Sequence, residues 1–161
     1  MIKIKFQKAK NPGLLSLIVL FVSLSACTAI KNQSNIKTVT VKLSGANEVP
    51  AVSTTGLGTA VIAYNTDLKV ITYNVSWTLG SSTATTSNMH FHGSDNGSPT
   101  TNSPVQIPIP GFSKASSGTV SGMTVALTDV QAAQLLAGKW YINIHSSTVP
   151  AGEIRGNIIF P

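Results

Sequence analysis

The stretch Ile71-Thr-Tyr-Asn-Val-Ser-Trp77 decides the fold class, because its apolar and polar residues alternate strictly. Successive side chains of a β-strand point to opposite faces, so a period of two predicts a strand with one buried and one solvated face. We expect the buried face to carry Ile71, Tyr73, Val75 and Trp77.

Similar alternation recurs along the chain and predicts further short strands. Pro108 and Pro110 cannot donate to a strand ladder, which makes the segment 105–109 an edge strand or an extended loop. Residues rich in Gly, Asn, Asp and Pro separate the segments and indicate turns. The other predicted strands lie at 39–43, 123–127, 141–145 and 154–160.

One segment has helical rather than strand character. Thr128 and Gln131 have the spacing of a capping box, and Gly138 suits the residue after a helix C-terminus. These signals predict one short helix at about 129–137. The whole pattern predicts an all-β fold, an immunoglobulin-like or Greek-key antiparallel β-sandwich with one short helix.

The N-terminal region has the features of a bacterial lipoprotein signal peptide. Four lysines precede an apolar run from Leu14 to Leu24, which is too short for a membrane-spanning helix. The run ends in Leu24-Ser-Ala-Cys27, which resembles the lipobox and implies lipidation of Cys27. The alternative is an ordinary signal peptide with a chance cysteine. We therefore predict a signal peptide at 1–26, a lipidated N-terminus and tether at 27–37, and one domain at 38–161.

Composition limits the possible functions. Four of the eleven basic residues belong to the predicted signal peptide, which leaves seven against five acidic residues. This balance, without any basic run, is not typical of a nucleic-acid-binding protein. The single cysteine excludes an intramolecular disulfide. The chain has no nucleophile-elbow or phosphate-loop motif, and we expect no enzymatic activity.

The three histidines are the residues most suited to chemistry. His90 and His92 flank Phe91, so on a strand both imidazoles face away from the core, roughly 6.5–7 Å apart. His145 takes the corresponding face of its own strand. If the strands are neighbours, His90, His92 and His145 form a site for copper or zinc. Asn143 and Glu153 are candidates to orient an imidazole, and Glu153 also to ligate. The alternative is three solvated surface histidines.

Several motifs occur in an order that resembles the CHRD domain, the repeat named after chordin. The resemblance spans roughly residues 38–160 and implies an extracytoplasmic, immunoglobulin-like β-sandwich without an established activity. The motif of the family carries the His-x-His pair, the Asn-x-His pair and the Gly-Glu-Ile-Arg-Gly turn. Ala51 stands where many members have a second proline. The segments that carry the resemblance are 43–50, 89–93, 127–138, 140–145 and 150–156.

Three functions are compatible with these patterns. The first is a lipid-anchored extracytoplasmic binding module that holds copper or zinc at the three histidines. The second is a structural or protein-interaction domain of the cell surface without metal, and the third is a mononuclear copper redox enzyme. In each case we expect the cell envelope as location and the lipid on Cys27 as the membrane attachment. Thr28 is not the aspartate that retains lipoproteins at the inner membrane, which favours an outer membrane.

Overall fold

The computed structural model describes residues 35–161, so the predicted signal peptide, Cys27 and most of the tether lie outside the described residues. A short 3₁₀ turn at Gly45–Asn47 follows the first strand. Among residues 35–161, no helix is long and apolar enough to cross a membrane. The elements in chain order are β1 (Ile36–Ser44), β2 (Leu57–Asn65), β3 (Val70–Thr78), β4 (Thr86–Gly93), β5 (Val105–Pro108), β6 (Ser117–Met123), α1 (Asp129–Leu136), β7 (Trp140–Ser146) and β8 (Ile154–Ile158).

The prediction of an all-β antiparallel fold with one short helix is confirmed. The eight strands form one sheet in the order β5-β4-β7-β8-β1-β2-β3-β6, which curves into a half-barrel. Strands β5, β4, β7 and β8 form one arm of the sheet and β1, β2, β3 and β6 the other. Within residues 35–161, the ladder between β8 and β1 that joins the two arms has one paired position, Ser44 opposite Arg155. The arms also contact across the interior, where the Tyr73 and Phe91 rings pack edge to face with centroids 5.6 Å apart. The sandwich-like core is therefore enclosed by one continuous sheet.

Strand β3 has the predicted burial. Ile71, Tyr73, Val75 and Trp77 are all buried, and the residues between them face outward. The Trp77 indole N–H donates to Thr86 Oγ1 at 2.8 Å, which satisfies its one polar atom inside the core. The alternating pattern thus predicted both the strand and its buried face.

Two further elements agree with prediction. Strand β5, which contains Pro108, lies at the edge of the sheet as expected for a strand with a missing donor. The capping box of helix α1 is complete, since Thr128 accepts from the Gln131 backbone N–H and the Gln131 side chain accepts from the Thr128 backbone N–H. Gly138 has a φ of 70°, a left-handed conformation that ends the helix.

The strand predicted at 123–127 is wrong. Strand β6 ends at Met123, and both Met123 and Val125 are largely exposed. The strand lies earlier in the chain, in a Ser- and Gly-rich segment without an apolar pattern. Its glycines make room for aromatic rings of β3, because a Cβ on Gly118 or Gly122 would lie within 3 Å of Trp77 or Tyr73 respectively. The core here is filled by the side chains of the neighbouring strand, so the hydrophobic pattern of β6 itself carries no signal.

Candidate metal centre

The three histidines lie on β4 and β7, which are antiparallel neighbours. Met89 and Phe91 on β4 are fully buried, as are Ile142 and Ile144 on β7. Alternation then turns all three imidazoles to the other face of the same two strands. The side chains of His90, His92 and His145 each place one ring nitrogen within 4.8 Å of the others.

Hydrogen bonds to backbone carbonyls determine which nitrogen two of the imidazoles present. His92 Nδ1 lies 2.8 Å from the Ser103 carbonyl oxygen, and His145 Nδ1 lies 2.8 Å from the Pro150 carbonyl oxygen. A carbonyl oxygen only accepts, so each Nδ1 carries a hydrogen, and in the neutral ring Nε2 is then the nitrogen with the free lone pair. His145 Nε2 lies 3.3 Å from His90 Nδ1, and His92 Nε2 is buried without a hydrogen-bond partner among the described residues.

Burial keeps two of these imidazoles neutral at physiological pH. It lowers the pKa of His90 to about 4, and the neighbouring His145 and His92 add to the shift through charge repulsion. The pKa of His92 is lowered as well, chiefly by burial and against the effect of the Ser103 hydrogen bond. A neutral imidazole has the free lone pair that a metal ion requires.

A stack of three flat groups supports His92 from behind. The His92 ring lies parallel to the Tyr141 ring, with centroids 4.7 Å apart and an angle of 4°. The Arg155 guanidinium lies 3.5 Å from the centroid of the Tyr141 ring. Tyr141 and Arg155 come from β7 and β8, which pair antiparallel. The imidazole therefore cannot turn freely.

Asn143, a candidate from the sequence to orient an imidazole, lies beside His92. It is buried, faces His92, and hydrogen-bonds the Glu48 carboxyl group. Glu48 is also buried, and burial raises its pKa to about 7 although the Arg155 charge and the Asn143 hydrogen bond oppose the shift. Sequence analysis assigned no role to Glu48. The only signal was its place in the segment 43–50 that carries part of the CHRD resemblance, far from the histidines in the chain.

Glu153 is not part of the histidine cluster. Its Oε1 accepts hydrogen bonds from the Thr54 hydroxyl at 2.8 Å and from the Gly80 N–H at 2.6 Å. Burial acts to raise its pKa, but hydrogen bonds from Ser146, Gly80, Thr54 and Thr148 together hold the pKa below its usual value. An ionised Glu153 thus joins the loops at 54 and 80 to the start of β8.

A comparison with protein families identifies the domain. Residues 39–158 match the model of the CHRD domain. The chain belongs to the CHRD domain family. No curated protein and no solved structure matches it. CHRD domains are typically extracellular, which agrees with the location expected from the N-terminal sequence.

The geometry of the three histidines in this CHRD domain suits one copper or zinc ion. Two nitrogens bound at about 2.0–2.1 Å with tetrahedral angles lie roughly 3.4 Å apart, close to the 3.3 Å between His90 Nδ1 and His145 Nε2. Neutral imidazoles are ligands for copper and zinc, and their second nitrogens here donate to protein groups in two of three cases. Three ligands leave a fourth coordination position for water or another small molecule.

Proposed function

We propose that this CHRD domain is an extracytoplasmic binding module that holds one copper or zinc ion at His90, His92 and His145. The observation that carries the proposal is the convergence of three imidazole nitrogens within 4.8 Å. Two of these imidazoles are anchored through Nδ1 to backbone carbonyls, which is the usual outer support of a metal-bound histidine.

The proposal includes attachment to a membrane through lipid on Cys27. Its support is the sequence of the N-terminal region: basic residues, a short apolar run, and the single cysteine of the chain directly after Ser25 and Ala26. The tether at 27–37 would then join the lipid to the domain in the cell envelope.

A second candidate is an interaction domain without metal, and one observation favours it. The 3.3 Å between His90 Nδ1 and His145 Nε2 is also within reach of a hydrogen bond, in which neutral His90 donates. The pair would then serve the fold. Within residues 35–161 the buried Nε2 of His92 makes no hydrogen bond of normal geometry, which is why we prefer the metal-binding function.

Calorimetric titration of zinc and of copper into the purified protein distinguishes the metal-binding module from the interaction domain without metal. We expect binding of one ion per chain and its loss in the double variant His92→Ala/His145→Ala. Asn88→Ala is the matched control, because Asn88 is exposed and lies opposite His145 on β4. Equal binding by the wild type and the double variant would contradict the proposal and leave the interaction domain as the function.

A further inference from the structure

We propose that Arg155 is a positioning residue of the metal centre. It holds the loop at 98–103 in the conformation that keeps His92 Nδ1 hydrogen-bonded to Ser103 and His92 Nε2 directed into the cluster. The expected effect on metal affinity rests on the proposed function, whereas the effect on the tautomer of His92 does not.

The first argument is the unusual environment of the Arg155 side chain. It is completely buried, and a buried charge must be compensated by hydrogen bonds. Much of that compensation comes from the loop, where the guanidinium donates to the carbonyl oxygens of Ser98, Pro99 and Thr101 at 3.0–3.3 Å. It also donates to Asn102 Oδ1 at 3.3 Å. One side chain thus binds four residues of a single loop.

The second argument is that hydrogen bonds outside any strand or helix hold this loop, and the four from Arg155 are the ones that join several of its residues to a single side chain. Residues 94–104 contain no regular secondary structure. The loop nevertheless supplies the Ser103 carbonyl that fixes the hydrogen on His92 Nδ1. Arg155 therefore acts on His92 through the backbone between Thr101 and Ser103.

The third argument is a stack of side chains that connects Arg155 to His92 through Tyr141. The guanidinium lies against the Tyr141 ring, which in turn lies against the His92 ring. The Tyr141 hydroxyl donates to the Ser103 carbonyl and accepts from the Ser103 N–H, both at 3.3 Å. The loop contacts and the ring stack thus restrain His92 together.

Lysine is not an adequate replacement for this arginine. The guanidinium has five N–H donors in a rigid plane, which allows several carbonyls to be bound while the flat face stacks on a ring. The lysine ammonium has three donors and no flat face. Arg155→Lys therefore keeps the charge and removes the arrangement that positions the loop.

The experiment measures the tautomer of His92 and the zinc affinity separately, in the full chain in detergent micelles. Long-range ¹H–¹⁵N spectra of the metal-free protein at pH 7 should show His92 protonated at Nδ1 in the wild type. In Arg155→Lys we expect a mixture of the two His92 tautomers, while His145 stays protonated at Nδ1. Zinc affinity should fall by about 10- to 100-fold, the usual effect of losing an outer support.

Two further variants make the result decisive. Lys114→Met removes a cation that also donates to a backbone carbonyl, that of Ser87, outside the loop, and should change neither quantity. Tyr141→Phe keeps the ring stack and loses only the hydroxyl contacts with Ser103, so it tests the same restraint if Arg155→Lys does not fold. A folded Arg155→Lys or Tyr141→Phe protein with an unchanged His92 tautomer would overturn the inference. A tautomer change in a protein whose wild type binds no zinc would uphold the positioning role and contradict the metal-binding function.

Discussion

His90 Nδ1 and His145 Nε2 lie 3.3 Å apart on the neighbouring strands β4 and β7. The two histidines are not directly opposite in the strand register, where His90 pairs with Asn143 and His145 pairs with Asn88. Their contact is diagonal and uses a different ring nitrogen from each residue. This difference arises because Pro150 binds the Nδ1 of His145, which leaves only its Nε2 for the cluster.

The diagonal contact predicts a mixed ligand set. On addition of zinc we expect His90 to bind through Nδ1, and His92 and His145 through Nε2, because the Nδ1 atoms of the latter two already donate to carbonyls. The ¹⁵N chemical shifts of the six imidazole nitrogens report the metal-bound atom of each ring. Binding of His92 or His145 through Nδ1 would contradict the arrangement described.

Glu48 predicts a specific pH dependence of stability. Burial raises its pKa to about 7, so the folded protein holds a proton on Glu48 that the unfolded chain, with a pKa near 4.5, releases. The stabilisation from this proton is complete below about pH 4.5 and is lost as the pH rises through 7. Over that range the loss amounts to about 3 kcal/mol.

Glu48→Gln isolates this contribution, since glutamine stays neutral. We measure the free energy of unfolding in urea without metal. We expect the value for Glu48→Gln minus the value for the wild type to increase as the pH rises from 4.5 to 8. The comparison with wild type at each pH cancels the titration of other groups. A constant difference across this range would show that Glu48 is ionised in the folded protein at acidic pH.

The burial of Trp77 in the core predicts that its truncation strongly lowers the free energy of unfolding. The residue is 3% exposed, and its indole nitrogen is hydrogen-bonded to Thr86 across the interior. Trp77→Ala should lower the free energy of unfolding by about 3–5 kcal/mol, because it leaves a cavity. Leu57→Ala is a suitable control in the same sheet, since Leu57 is largely exposed and pairs with Thr78. Similar losses in both variants would be inconsistent with the core described.

Processing of the N-terminal region is tested at Cys27. Cys27→Ser should abolish labelling with a radioactive fatty acid and leave the protein unprocessed or unanchored, because its thiol is the predicted acceptor of the lipid. Mass spectrometry of the wild-type N-terminus provides an independent measurement. Soluble wild-type protein that begins at Thr28 or later would contradict the prediction.

Local pattern was sufficient to predict much of the fold and the three candidate ligands. The alternation in 71–77 predicted strand β3, and the spacing of Thr128 and Gln131 predicted the start of helix α1. The histidine faces followed from the same period of two, because each imidazole is separated from its buried neighbour by one residue. These features depend on residues close together in the chain, and their geometry is nearly independent of the rest of the fold.

Tertiary structure alone decided what surrounds the histidines. Glu48 and Arg155 are 107 positions apart, and no local pattern predicts that they share one buried polar region beside Asn143. Glu153 directly precedes β8, and its carboxylate binds Thr54 and Gly80 because those loops, rather than His145, supply donors there. The sequence by itself determined which faces the strands expose, since alternation is a property of the backbone. Contacts between distant segments decide which loops cover a face. They therefore also decide that the pKa of Glu48 is raised and that of Glu153 is lowered, which no local pattern predicts.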